Sequence, residues 1–223
     1  MSNQITLDQN KLLEEKTKSH PCYSGGCQNA RIHLPVAPKC NISCNYCNRK
    51  FDCINESRPG VTSEVLKPEE AFDRFLKVKS RFNNLKVVGI AGPGDALANF
   101  ENTKRTLKLI RENDPYVTFC LSTNGLMLPY YVEDLVELGV THVTVTINTI
   151  DPKIGAKIYK YIYYQGVRLD GEKGAEVLIN NQLAGVKKLV ELGIITKINT
   201  VMIKGINDKH IEVIVRQMMR KVT

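Results

Sequence analysis

The chain has 223 residues, of which 43% are hydrophobic and 24% charged. That composition excludes fibrous and intrinsically disordered classes and allows one large domain with a sizeable core. Thirty-one Lys and Arg against 23 Asp and Glu give a formal charge of +8, which fits either a solvated basic surface or one that attracts anions, nucleic acid included.

Residues 1–19 are polar and lysine-rich and read as an N-terminal arm. Residues 20–60 are rich in Cys and His and poor in regular pattern. Beyond them helices and short apolar strands alternate to the end, so 20–223 reads as one core domain. A first strand is expected at 34–37. Pro68 opens an amphipathic helix with Phe72, Phe75, Leu76 and Val78 on one face, Pro being favoured in the first turn. Further strands are predicted over 86–91, 117–121, 142–148 and 194–203, with helices over 102–113, 130–138, 175–192 and 207–221. The string Leu135-Val136-Glu137-Leu138-Gly139-Val140 returns as Leu189-Val190-Glu191-Leu192-Gly193-Ile194. Each time Gly follows the last helical turn and a β-branched strand begins at once. Repeated βα units predict an α/β fold with parallel strands and right-handed crossovers. The pattern ends on a helix where another strand is expected, so either the sheet is an open partial barrel or the sequence is truncated before its last strand. No apolar run reaches the ~20 residues of a membrane span and no charged-then-apolar leader opens the chain, so a soluble cytoplasmic protein is expected.

Cysteine placement is the most informative feature. Six of the seven cysteines fall at Cys22, Cys27, Cys40, Cys44, Cys47 and Cys53, and only Cys120 stands apart. A chain of this length and composition needs no disulfide framework, so metal ligation explains the density better. Cys40, Cys44 and Cys47 follow Cys-x3-Cys-x2-Cys spacing just after the first expected strand. Three such thiolates can hold three irons of a [4Fe–4S] cluster and leave the fourth without a protein ligand. Zinc would want a fourth donor, which Cys53 could supply. Gly92-Pro93-Gly94-Asp95, Ser122-Thr123-Asn124 and Asn148 lie at later strand ends, where sheets of this kind bind ligands.

The three-cysteine spacing resembles the radical S-adenosylmethionine (AdoMet) superfamily, which implies a partial (βα)6-type barrel. In that superfamily the open iron of the [4Fe–4S] cluster chelates AdoMet. Gly92, Gly94 and Asp95 occupy the place of its glycine-rich motif, although the usual Gly-Gly-Glu reads here as Gly-Pro-Gly-Asp. Ser122, Asn124 and Asn148 match strand-end positions that face AdoMet, and Asn48, after the third cysteine, is expected to shape its pocket.

A longer run is more specific. It extends from His20-Pro21-Cys22-Tyr23-Ser24 through Ala30-Arg31-Ile32-His33-Leu34-Pro35-Val36-Ala37-Pro38 and Cys40-Asn41-Ile42-Ser43-Cys44-Asn45-Tyr46-Cys47-Asn48-Arg49-Lys50 to Cys53-Ile54-Asn55-Glu56-Ser57-Arg58-Pro59-Gly60. Together with Ala91–Asn99 and Ile206-Asn207-Asp208 it closely resembles the NifB family of nitrogenase cofactor biosynthesis. The resemblance implies that two further [4Fe–4S] substrate clusters are fused into an [8Fe–9S–C] core around a carbide derived from an AdoMet methyl group. Candidate ligands for those clusters are Cys22, Cys27, Cys53, Cys120, His20 and His33. One division gives Cys53, Cys120 and a histidine to one cluster, and Cys22 with His20 or Cys27 to the other. Glu56 is a candidate base for stripping protons from the methyl carbon, with Arg58 its partner or an ion-pair neighbour. His142 and His210 read as strand or surface residues. Expected partners are a cofactor scaffold protein or cluster carrier, an iron–sulfur cluster donor and an electron donor such as ferredoxin, with no nucleic acid or membrane. Two rival readings stand beside this one: a radical AdoMet enzyme that modifies a peptide or small molecule using auxiliary clusters, and a zinc-stabilised nucleic-acid-binding module.

Overall fold

A computed structural model of the protein describes residues 11, 14, 15, 17–23, 28–48 and 64–222. Its centre is a five-stranded, wholly parallel sheet made of β1 (Ala30–Leu34), β3 (Leu85–Ile90), β4 (Thr118–Thr123), β5 (Val140–Thr146) and β8 (Ile195–Asn199). Their order across the sheet is their order in the chain. Helices α1 (Pro68–Lys79), α2 (Phe100–Asn113), α3 (Leu128–Glu137) and α5 (Gly171–Glu191) connect these strands, and α6 (Ile211–Val222) follows the last. The expected α/β architecture, with five parallel strands in a partial barrel-like sheet, is therefore present.

Local sequence explains the helix limits. In α1, Pro68 takes the first turn, Glu69 and Glu70 lie near the positive end of the helix dipole, and Lys77 and Lys79 lie near the negative end. Lys67 has no capping side-chain oxygen, but its backbone N–H donates to Glu70 at 2.8 Å, half of a capping box. Gly139 and Gly193, which close the two copies of the repeated string, both have positive φ.

Strand residues alternate between two faces. Ile32, Leu34, Val88, Ile90, Phe119, Leu121, Val143, Val145 and Ile198 point to the helices and join one apolar core with Phe75, Leu107, Leu135, Val186 and Met218. The alternate residues, Arg31, His33, Gly89, Cys120, Ser122, His142, Thr144 and Lys197, share the opposite face. Val87 and Ile195 add apolar surface to this otherwise polar face, and apolar burial against the helices sets which residues it receives.

Two differences from the expected elements have physical causes. The first strand lies at Ala30–Leu34 rather than 34–37, because Pro35 and Pro38 lack the N–H a ladder requires; Ala37 makes only an isolated parallel bridge to Pro93. The last strand ends at Asn199 rather than 203, because side chains take over the next backbone donors. The N–H of Val201 donates to Asn148 Oδ1 at 2.9 Å and that of Ile203 to Asn207 Oδ1 at 2.6 Å. A second sheet was not expected at all. Strand β2 (Ile42–Cys44) pairs antiparallel with β6 (Tyr159–Tyr164), which pairs antiparallel with β7 (Val167–Leu169), and the short helix α4 (Pro152–Ile158) precedes them. Gln165 and Gly166, both at positive φ, make the hairpin turn. Among the described residues no helix is long and apolar enough to cross a membrane.

Candidate active site

The carboxyl ends of the five parallel strands carry the loop of Cys40, Cys44 and Cys47 and the polar segments after β3, β4 and β5. The loop is fixed first from behind. Backbone N–H groups of Gly94 and Asp95 donate to the carbonyls of Ala37 (2.6 Å) and Lys39 (2.8 Å). Asn99 adds a bond from Nδ2 to the Lys39 carbonyl at 2.7 Å, and its Oδ1 accepts from the Lys39 N–H at 3.1 Å. Gly94 is required there for lack of space: a Cβ would stand 2.0 Å from the Lys39 carbonyl oxygen. Gly92, with φ of +65°, precedes a cis bond to Pro93.

Asp95 is fully buried and ties the β3 and β4 ends together. Its carboxylate accepts from the N–H groups of Leu97 (2.9 Å), Ala98 (3.1 Å) and Asn124 (2.6 Å) and from the Thr123 hydroxyl (2.9 Å). Burial pushes its pKa up, and these four donors oppose that by favouring the ionised form. Asn124 extends the tie to the cysteine loop, its Nδ2 donating to Asn41 Oδ1 at 2.7 Å and lying 3.8 Å from Cys40 Sγ. Asn148 holds the other side, donating to the Tyr46 hydroxyl at 2.8 Å. Behind it the buried Asn207 bonds the carbonyls of Asn148 and Val201 at 2.8 and 2.9 Å, and Gln182 from α5 bonds those of Asn124 and Thr146 at 2.7 and 2.9 Å. Asp95, Asn124 and Asn148, expected at AdoMet, thus form a frame that positions the cysteine loop. Ser122 lies on the polar face just below, and Asn48 is exposed at the end of the loop.

The three cysteines lie against a small apolar cluster. Cys44, Ile42, Leu126, Ile158, Tyr159, Ile162 and Leu178 are buried together, with Cys40, Tyr46 and Cys47 packed on them. The second sheet supplies part of this wall, and burial raises the Tyr159 hydroxyl pKa. Among the described residues no three His, Cys, Asp or Glu side chains converge as ligands of one metal ion. A cubane asks for something else, each thiolate on a different iron. The donor set therefore fits such a cluster: three thiols on one loop, a backbone cradle closed to any Cβ at Gly94, and an apolar wall that excludes water.

Lower on the polar face lies a second group. The register sets His33, Gly89, Cys120 and His142 side by side across four neighbouring strands. A Cβ on Gly89 would stand 3.1 Å from both His33 Nε2 and Cys120 Sγ, so these atoms are within about 6 Å of each other. The 20–23 turn covers this row. The His20 ring lies 4.4 Å from that of His142 and 4.9 Å from that of Tyr23. The Tyr23 hydroxyl is 3.5 Å from Thr144 Oγ1, and burial pushes its pKa up to about 12. The Cys22 N–H donates to His20 Nδ1 at 3.1 Å, which places the imidazole proton on Nε2. Burial, then the nearby Arg31 and Lys197 charges, lower the His20 pKa from 6.5 to about 4, so the ring is neutral. Arg31 hydrogen-bonds Cys22 Sγ and lies 3.5 Å from His33 Nδ1.

The structure thus groups Cys40, Cys44 and Cys47 with Gly92, Gly94, Asp95, Asn124 and Asn148, and it groups Cys22, His20, His33 and Cys120 beneath them. Cys27, Cys53, Glu56 and Arg58 lie outside the described residues. His142, read from sequence as a strand or surface residue, is a buried strand residue in the row beside Cys120, and only its register revealed this. The tying residues Gln182 and Asn207 were not identified as site residues, since an amide in a helix or a loop carries no spacing signal.

The class of the site is set by the parallel sheet with a three-cysteine loop at its carboxyl edge. A family model described as the Radical SAM superfamily matches residues 34–218. Solved structures with the same fold include native anSMEcpe with bound AdoMet (TM-score 0.57, 17% identity, covering 86% of this chain and 48% of that one). Another is TYW1 with a lysine-pyruvate adduct bound (TM-score 0.52, 15% identity, covering 86% and 61%). Much nearer in sequence is the FeMo cofactor biosynthesis protein NifB of Klebsiella pneumoniae, 55% identical over 199 residues, covering 88% of this chain and 42% of the relative. The NifB of Chlorobaculum tepidum is 51% identical over 205 residues, covering 90% and 48%. The chain belongs to the Radical SAM superfamily and, within it, to the NifB family. It spans less than half the length of these NifB relatives.

Proposed function

We propose that this chain is a radical AdoMet enzyme of nitrogenase FeMo-cofactor biosynthesis that joins two [4Fe–4S] substrate clusters around a carbide taken from an AdoMet methyl group. One observation carries the reading beyond the superfamily: thiols and imidazoles gather in a second place, on the polar sheet face beneath the cysteine loop.

Cys40, Cys44 and Cys47 would hold the resident [4Fe–4S] cluster. When bound, it supplies an electron for reductive cleavage of AdoMet. The chain's own contribution is placement. Gly94 and Asn99 fix the loop's entry, Asn124 and Asn148 fix its interior, and the wall of Ile42, Leu126, Tyr159 and Ile162 keeps water from a reactive radical. Ser122, Gly92 and Asn48 would face AdoMet. Cys22 and Cys120, with His20, His33, Cys27 and Cys53, would hold the substrate clusters. Few and partly imidazole ligands suit a cargo that must leave, whereas permanent electron-carrier clusters take four cysteines each. Glu56 would take protons from the methyl carbon, with Arg58 as its charge partner. A scaffold protein or carrier would receive the product, an iron–sulfur donor would supply the clusters, and a ferredoxin-like donor the electrons.

The test is anaerobic iron quantification with electron paramagnetic resonance before and after AdoMet is added. About three clusters per chain, two of them consumed on AdoMet turnover, is the expected result. Auxiliary clusters that survive turnover intact would overturn cluster fusion in favour of an electron-relay role.

A further inference from the structure

We propose that Arg31 and Lys197 form a cationic clamp that draws in and retains an anionic iron–sulfur cubane at Cys22. The inference rests on the cargo-cluster reading above and names the charges that would select the cargo.

Strands β1 and β8 are the two opposite edges of the five-stranded sheet. Each sends a cation to the same residue. From β1, the Arg31 guanidinium hydrogen-bonds Cys22 Sγ and stands 3.5 Å from His33 Nδ1. From β8, Lys197 Nζ donates to the Cys22 carbonyl at 3.3 Å and lies 5.7 Å from the centre of the Tyr23 ring. The sheet therefore curves enough for both edges to reach one turn, and Cys22 sits between two positive charges. Among the described residues Lys197 has no carboxylate partner. The turn itself offers little counter-charge. His20 is completely buried, and its Nε2 has no hydrogen-bond partner among the described residues. A buried ring nitrogen left unmatched favours an incoming partner, which the arriving cluster supplies.

The chemistry of the guest matches. A cubane with an oxidised 2+ core and four thiolates is a dianion, costly to bring into a half-buried cleft unless cations face it. On arrival the Cys22 thiol replaces one thiolate of the incoming cubane, and that thiolate leaves as a thiol carrying the Cys22 proton. No change in oxidation state is needed. Hydrogen bonds from Arg31 to the ligating sulfur would then hold the cluster and tune its potential.

The test loads the chain, with its AdoMet cluster in place, with a synthetic [4Fe–4S] cubane bearing four 2-mercaptoethanol ligands. Cubane retained after gel filtration is titrated at low and high salt. The fraction lost in Cys22→Ser defines binding at this turn. Arg31→Gln and Lys197→Gln are each expected to raise the half-saturating concentration roughly twofold to fivefold, the scale of one partly exposed charge pair. Lys197→Arg should bind like the wild type, and the double neutral variant should lose most of the salt dependence. Lys197 is exposed, so its variants keep the test sound even if Arg31→Gln destabilises the fold. If the wild type retains the cubane and both neutral variants retain it equally, the clamp is wrong and the cargo reading stands. If the wild type retains none at Cys22, clamp and cargo reading fall together.

Discussion

The side-chain amide of Asn148, at the end of β5, donates a 2.8 Å hydrogen bond to the hydroxyl of Tyr46, which lies between the second and third cysteines of the cluster loop. One bond thus couples the far side of the sheet to the loop that would carry the metal. Tyr46→Phe removes only the hydroxyl and strands a buried donor, which should cost about 1–3 kcal/mol. Anaerobic denaturant unfolding of the reconstituted protein should show that loss, accompanied by faster loss of the AdoMet cluster to a chelator. A cluster lifetime equal to that of the wild type would contradict the coupling.

Gly94 tests the rear support of the same loop. With the Cβ of Gly94→Ala only 2.0 Å from a backbone carbonyl, no rotamer change relieves the clash, and loop 37–39 must shift. A destabilisation of at least ~3 kcal/mol is expected, together with loss of AdoMet-dependent 5′-deoxyadenosine formation. Thermal unfolding and product chromatography read the two effects separately.

Gly89 behaves differently because its near neighbours are side chains. In Gly89→Ala the added methyl meets His33 Cδ2 at 2.6 Å and Cys120 Sγ at 3.1 Å, and both can swing away. The fold should survive with a cost of about 1–3 kcal/mol, while iron beyond the AdoMet cluster falls. Unchanged iron content would show that the pair His33 and Cys120 holds no substrate cluster.

His20 gives a pH signature. Folding lowers its pKa from 6.5 to about 4, chiefly by burial. Between those values the unfolded chain binds a proton that the folded chain refuses, so the stabilisation is complete above 6.5 and is lost as the pH falls towards 4. For this group alone the slope approaches ~1.4 kcal/mol per pH unit. Urea unfolding of the cluster-free chain across that range should show it, and His20→Gln should flatten the curve. An equal slope in the variant would place the responsible group elsewhere.

Much of this arrangement could be read from residues alone. The repeated Leu-Val-Glu-Leu-Gly string marks its own helix stops, and the cysteine spacing marks the cluster loop, because both depend on local geometry. His142 could not be recognised, since its neighbours Cys120 and His20 lie 22 and more residues away in sequence and meet it only through strand register. The second sheet escaped for a related reason. Tyr159–Tyr164 reads as an aromatic run, and its pairing with Ile42–Cys44 is long-range. Asp95 showed its position but not its duty, because four donors converge on it only after the β3 and β4 ends are side by side.

The alternation along β4 has a consequence for how such a chain can change. Phe119 and Leu121 stabilise the core while Cys120 and Ser122 lie on the polar face, so apolar packing and polar side chains occupy odd and even places of one ribbon. Substitutions can alter either set with the other untouched. Loss or gain of a single residue within the ribbon exchanges them, driving the Cys120 thiol into the apolar core and the Phe119 ring onto the polar face.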